Sequence, residues 1–100
     1  MAIASIDWGF KMSLDMLRKN IEDTDMAILN LLRRRLELAK EVGIFKIENG
    51  ERVRNQVVEE IVINRFRDYA SKNGMNPDYA EEICRILMKE SIELQESLSK

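Results

Sequence analysis

The sequence predicts an all-α fold: three helices per chain, one long and two shorter, with the long helix paired against its mate in a homodimer. Two observations carry this. From Leu14 onward residues at alternating steps of three and four, Leu17, Ile21, Thr24, Ile28, Leu31, Arg35, Leu38, Val42 and Phe45, are apolar except for Thr24 and Arg35, which is the stripe of an amphipathic helix. That stripe continues through about 33 residues, or about 50 Å at 1.5 Å per residue, longer than a globule of this chain length is wide. Two shorter helices flank only part of it, so a symmetry mate is the economical way to cover the middle.

The first twelve residues, with Gly9 and the only tryptophan, Trp8, match no clear period. They are set aside as an N-terminal arm or an added remnant, leaving 13–100 as the helical domain. Ser13 is the expected N-cap of helix one, Asp15 supports its first turn, and the stripe runs to about Lys46 with Gly43 alone interrupting the good helix formers. Glu48-Asn49-Gly50-Glu51 reads as a short polar turn. Val53, Val57, Ile61, Val62, Phe66, Tyr69 and Ala70 then predict a second helix ending near Lys72, where Asn73-Gly74 supplies a stop. Asn76 as N-cap, Pro77 as first helical residue and Asp78, Glu81 and Glu82 behind it open a third helix that runs to about Leu98.

Composition narrows the chemistry. Forty-five per cent hydrophobic and 34% charged residues are ordinary for a folded soluble domain. Sixteen Lys and Arg against eighteen Asp and Glu leave a net charge of -2, with no basic excess to suggest nucleic acid and no polybasic tail for a membrane. One cysteine, Cys84, excludes an intrachain disulfide, and the absence of histidine removes the commonest metal ligand and the usual general base, so no metal or other cofactor is expected. No apolar run approaches the length of about 20 residues that spans a bilayer, and Met1–Phe10 lacks the basic start and long apolar core of a signal peptide. A cytoplasmic protein is expected.

Two anomalies on the apolar faces point to a site. Arg35 falls on the stripe of helix one, where a leucine is expected, and Lys46, eleven residues on, returns to within about 20° of it. Cations on a seam call for anions, supplied either by a structural ion pair or by a ligand. On helix three Cys84, Met88, Ser91 and Gln95 follow at steps of four, three and four, so a stripe that begins apolar ends in hydrogen-bonding groups, either a site or a frayed end. Arg18 and Glu59, with Asn55 four residues before the glutamate, are ordinary surface residues by pattern alone. Arginines, a lysine, an amide, a hydroxyl and a carboxylate together suit binding of a polyanion and electrostatic preorganisation of a unimolecular step.

At this point the residues resemble the all-helical AroQ class of chorismate mutases. Arg18, Ile21, Asp25, Ile28, Leu31-Leu32, Arg35, Leu38-Ala39, Val42-Gly43 and Lys46 match its R-x-x-I-x-x-x-D-x-x-I-x-x-L-L-x-x-R-x-x-L-A-x-x-(V/I)-G-x-x-K pattern at full spacing, and Ser91 and Gln95 match its closing Ser and Gln. The resemblance implies an intertwined homodimeric helical bundle in aromatic amino acid biosynthesis, with composite active sites that rearrange chorismate to prephenate. It implies that Arg35, and Arg18 from the other subunit, grip substrate carboxylates, that Lys46 and Gln95 donate to the ether oxygen, that Ser91 assists at a carboxylate and that Glu59 accepts from the ring hydroxyl. The segment after the turn departs from the family's P-V-x-D-x-x-R-E: Arg52 stands for the proline, Asn55 for the aspartate and Val58 for an active-site arginine. Asn55 keeps a backbone amide for the ring hydroxyl, and Arg52 or Arg54 is the expected substitute for the missing cation. Two other readings stay open: an isochorismate pyruvate lyase, which uses a similar cation pair, and a non-catalytic helical ligand-sensing or dimerisation module.

Overall fold

The computed structural model describes residues 13–99, and the arm at 1–12, with Trp8, lies outside the described residues. Three helices make up the fold, α1 (Leu14–Glu48), α2 (Gln56–Lys72) and α3 (Pro77–Ser97), with no strand among the described residues. The chain divides into two compact units, Met1–Arg34 and Arg35–Lys100, and α1 runs through both.

The described part of the first unit is the N-terminal stretch of α1. Ser13 caps it: its Oγ accepts from the Met16 amide at 3.2 Å and its carbonyl from the Leu17 amide at 3.0 Å. Thr24 falls on the apolar stripe, and its hydroxyl donates to the Asn20 carbonyl one turn back, at 2.8 Å. All described residues of this unit are exposed apart from the half-exposed Leu32.

The second unit packs the last part of α1 with α2 and α3. Its tightest contacts use small residues. On α1 Ala39 and Gly43 are buried one turn apart, and the Gln95 side chain fills the space at Gly43: a Cβ built there would lie 2.8 Å from Gln95 Cγ and 2.9 Å from Leu98 Cδ1. Where α2 meets α3, Ala70, Ala80 and Cys84 are buried, Ala70 and Cys84 completely. Burial pushes the Cys84 thiol above its usual range, so it behaves as a small apolar residue.

The connections follow helix-capping chemistry. Gly50 closes α1 in the left-handed region at φ +65°, letting the Glu51 amide reach back to the Lys46 carbonyl at 2.8 Å. Gly74, at φ +70°, does the same for α2, where the Met75 amide bonds the Ala70 carbonyl at 2.9 Å. Asn76 caps α3 through the Asp78 amide at 2.9 Å, with Pro77 following as expected. Arg67 pins this corner, its Nη1 donating to Asp78 Oδ1 and Glu81 Oε1 at 3.0 Å each, while Arg85 holds the same Glu81 one turn away at 2.6 Å.

One boundary differs from the sequence expectation. Helix two does not take up the chain at Val53; it starts at Gln56, after an irregular linker. Asn55 has extended backbone and its side chain accepts from the Val58 amide at 3.2 Å, so it is the N-cap rather than an interior residue. The Val53 carbonyl, outside the helix, is taken instead by Lys46 Nζ at 2.6 Å. Helix one also extends slightly past Lys46, to Glu48.

Two predictions follow from this packing. Gly43→Ala gains about 1 kcal/mol of helix preference but forces Gln95 and Leu98 to move, at about 1–3 kcal/mol; a net loss in urea unfolding midpoint is expected. Glu81 is held below the usual carboxylate range, chiefly by its hydrogen bond from Arg85 and further by Arg67. Its contribution is therefore complete above the unfolded carboxylate pKa of about 4.3 and fades as pH falls toward the lower folded value. Melting temperature measured across the acid range should fall less steeply for Glu81→Gln than for the parent chain.

Candidate functional site

Within the second unit a cleft of about 330 Å³ is lined by α1, the 49–55 linker, α2 and α3, and it collects Arg35, Lys46, Asn55, Glu59, Ser91 and Gln95. Six of the nine residues singled out from the sequence for this chemistry thus share one cavity. Arg18 belongs to the first unit and is not among the lining residues.

Arg35 and Lys46 are both half-buried, and among the described ion pairs neither cation meets a carboxylate. A structural ion pair therefore does not account for Arg35. Its Nη1 donates to Ser91 Oγ at 2.7 Å and, at 3.3 Å, to the Leu87 carbonyl. Ser91 passes its own proton to that same carbonyl at 3.0 Å, which leaves its oxygen to accept from the guanidinium. The hydroxyl orients the arginine with neutral groups and leaves its charge uncompensated, and a guanidinium with five N–H donors retains others for a ligand.

Ser91 and Gln95 are buried, so the polar end of the α3 stripe is not a frayed terminus. Gln95 Nε2 donates to the Ala39 carbonyl of α1 at 2.9 Å, which fixes the amide and leaves its second N–H. Lys46 spends one of three ammonium donors on Val53. The cations and the amide thus share one design: each is anchored by a neutral acceptor and keeps further donors.

Glu59, in the first turn of α2, is half-buried and accepts a paired set of bonds from Arg54, Nε to Oε2 at 3.1 Å and Nη2 to Oε1 at 2.7 Å. The Arg54 hydrogen bond is the main reason its carboxyl is held below the usual range; the Arg54 charge, the Asn55 backbone and Lys46 act in the same direction, against burial. At neutral pH it is an anionic acceptor. Arg54 and Arg52 do not reach the cleft as replacement cations: both line a separate, more polar cavity of about 600 Å³, and Arg54 is engaged with Glu59. At the position of the missing arginine Val58 lines the cleft, with Val42, Val62, Met88 and Ile92 making the rest of that wall apolar.

Sequence reasoning missed two contributors. Glu51 lines the cleft, yet nothing distinguishes it in a polar turn. The Val53 carbonyl holds Lys46, and a backbone acceptor leaves no side-chain signature at all.

The family model for chorismate mutase type II matches residues 17–96. The chain is similar to a T-protein of Enterobacter agglomerans (37% identical over 78 residues, 78% of this chain and 21% of that protein). It is also similar to a T-protein of Haemophilus influenzae (32% over 83 residues, 83% and 22%). A bifunctional chorismate mutase/prephenate dehydratase of Buchnera aphidicola is 27% identical over 81 residues, 81% of this chain and 21% of that protein. The chain spans about a fifth of the length of these relatives. No solved structure gives a significant match.

Gln95→Ala removes a buried amide that bridges α3 to α1. Loss of this bond and the space left behind should lower unfolding free energy by about 1–3 kcal/mol in urea titration, whereas Gln95→Leu, which keeps the volume and gives up only the bond, should lose less.

Proposed function

Because the chain belongs to the chorismate mutase type II family, we propose that it converts chorismate to prephenate, with Arg35 and Lys46 as the cations that hold the substrate. The observation that carries this is the pair of half-buried cations on one helix face whose partners are a hydroxyl and backbone carbonyls. Such a pair is ready for an anionic guest.

The reaction is a unimolecular rearrangement in which the ether C–O bond breaks as a new C–C bond forms, and negative charge builds on the ether oxygen in between. Lys46 and the second N–H of Gln95 are assigned to that oxygen. Donors fixed there before reaction lower the barrier more than they tighten ground-state binding. Arg35, oriented by Ser91, is assigned to a carboxylate, and Glu59 with the Asn55 amide to the ring hydroxyl. The apolar wall around Val58 favours the compact folded conformer by excluding water from it. No proton transfer and no nucleophile are required.

The charge balance of the cleft supports a composite site. Arg35 and Lys46 face Glu51 and Glu59, so the lining is formally neutral, and a dicarboxylate calls for another cation. We assign this to Arg18 of the partner subunit in an intertwined homodimer. Support comes from the α1 stripe: Leu14, Leu17, Ile21, Ile28 and Leu31 are each 45–70% exposed in the single chain, a row of large apolar groups that a second copy would cover.

Purified protein is expected to consume chorismate without added metal or cofactor and to release prephenate. Arg35→Ala and Lys46→Ala should each lower kcat/KM by about 100-fold or more while the dimer persists on size-exclusion chromatography with light scattering. Absence of prephenate at high enzyme concentration would overturn the assignment, and pyruvate from isochorismate would redirect it to elimination. Val58→Arg, which returns a cation to the apolar wall, should raise kcat/KM.

A further inference from the structure

Glu59 lies in a wall shared by separate cavities. It lines the cleft with Arg35 and Lys46, and it lines the 600 Å³ cavity with Arg52, Arg54 and Arg85. Arg54 lines the second cavity and not the cleft. Its guanidinium therefore holds the carboxylate without itself lining the cleft. The two bonds run in parallel, one to each carboxylate oxygen. This fork fixes the carboxylate plane, and each oxygen, having two lone pairs, keeps capacity for one more donor.

The other charges around Glu59 do not duplicate this grip. Arg35 and Lys46 of α1 and Glu51 of the linker share the cleft with it. Arg85, Lys89, Glu93 and Glu96 of α3 share a cavity with Glu59 and Arg54, and Arg52 and Glu60 line the 600 Å³ cavity. Among the described ion pairs, Arg54 alone is bonded to Glu59, while Arg85 is bonded to Glu81. Arg54 is also well placed to act locally: it precedes the N-cap Asn55, so the same short segment that starts α2 delivers the guanidinium to the first-turn residue Glu59.

We infer that Arg54 is the positioning residue for Glu59, holding its carboxylate as a charged, oriented acceptor so that the cleft selects ligands that present a hydroxyl donor at that wall. An arginine in the linker thereby acts on the cleft without lining it. The inference rests on the proposed mutase activity only for its kinetic arm.

The experiment follows the Glu59 carboxyl by carbon NMR in protein labelled with carboxyl-carbon-13 glutamate, assigned by loss of the signal in Glu59→Gln, with Arg54→Met and Arg54→Lys compared against the parent chain. Arg54→Met is expected to raise the Glu59 titration midpoint measurably, and Arg54→Lys to restore part of it. With chorismate, Arg54→Met should lower kcat/KM by about tenfold and move its acid limb upward, and in the Glu59→Gln background it should have no further effect. An unmoved midpoint in folded Arg54→Met overturns the inference, and so does an equal kinetic loss in the Glu59→Gln background. If Arg54→Met does not fold, the Arg54→Lys midpoint decides: a value at or below the parent's overturns the inference, and a raised one supports it. A parent chain that titrates as expected but leaves chorismate unchanged would remove the mutase reading and leave the Arg54 assignment standing.

Discussion

Two cations three turns apart on one face of α1, neither of them bonded to a carboxylate among the described ion pairs, are the constraint around which the second unit is arranged. Arg35 and Lys46 are half-buried, and each unit of buried charge must be hydrogen-bonded or it destabilises the fold. The protein meets that need with neutral acceptors: Ser91 and the Leu87 carbonyl on α3, and the Val53 carbonyl on the linker. Each acceptor belongs to an element that must come close to α1, so satisfying the cations and assembling the cleft are one event.

Close approach in turn requires small residues. Ala39 and Gly43 form a shallow strip on α1, and the Gln95 side chain lies across it to reach the Ala39 carbonyl. Ala70, Ala80 and Cys84 perform the same task between α2 and α3, and the Arg67–Glu81–Arg85 cluster fixes the corner at the start of α3. Helix three is packed near its start at Ala80 and Cys84 and is tied to α1 toward its end through Ser91 and Gln95.

Much of this was legible in the chain. The three helices, their caps at Ser13, Asn76 and Pro77, and the stop at Asn73-Gly74 follow from local chemistry, because a cap bonds to amides only a few residues away. Arg35, Lys46, Ser91 and Gln95 stood out as polar breaks in apolar stripes, a signal that needs only helical periodicity. The start of α2 was less legible. Val53 fits the apolar pattern of that helix, yet it lies before the Asn55 cap, where its carbonyl accepts from Lys46, a residue of another element. Arg54 and Arg52 read as cations available to the cleft, yet the structure turns Arg54 onto Glu59 and lines a different cavity with both.

The amino-acid order by itself determined the all-helical class, the number of helices and which residues carry unexpected charge or polarity, since these depend on spacing within one element and on groups a turn apart. Tertiary structure decided which of those groups share a cavity, which faces they leave open and which neighbour each one holds. The physical reason is the range of the interactions. Helix periodicity and capping act over about four residues, whereas the choice between Arg54 facing a ligand and Arg54 facing Glu59 is a competition among hydrogen bonds that exists only after the linker, α2 and α3 have come together.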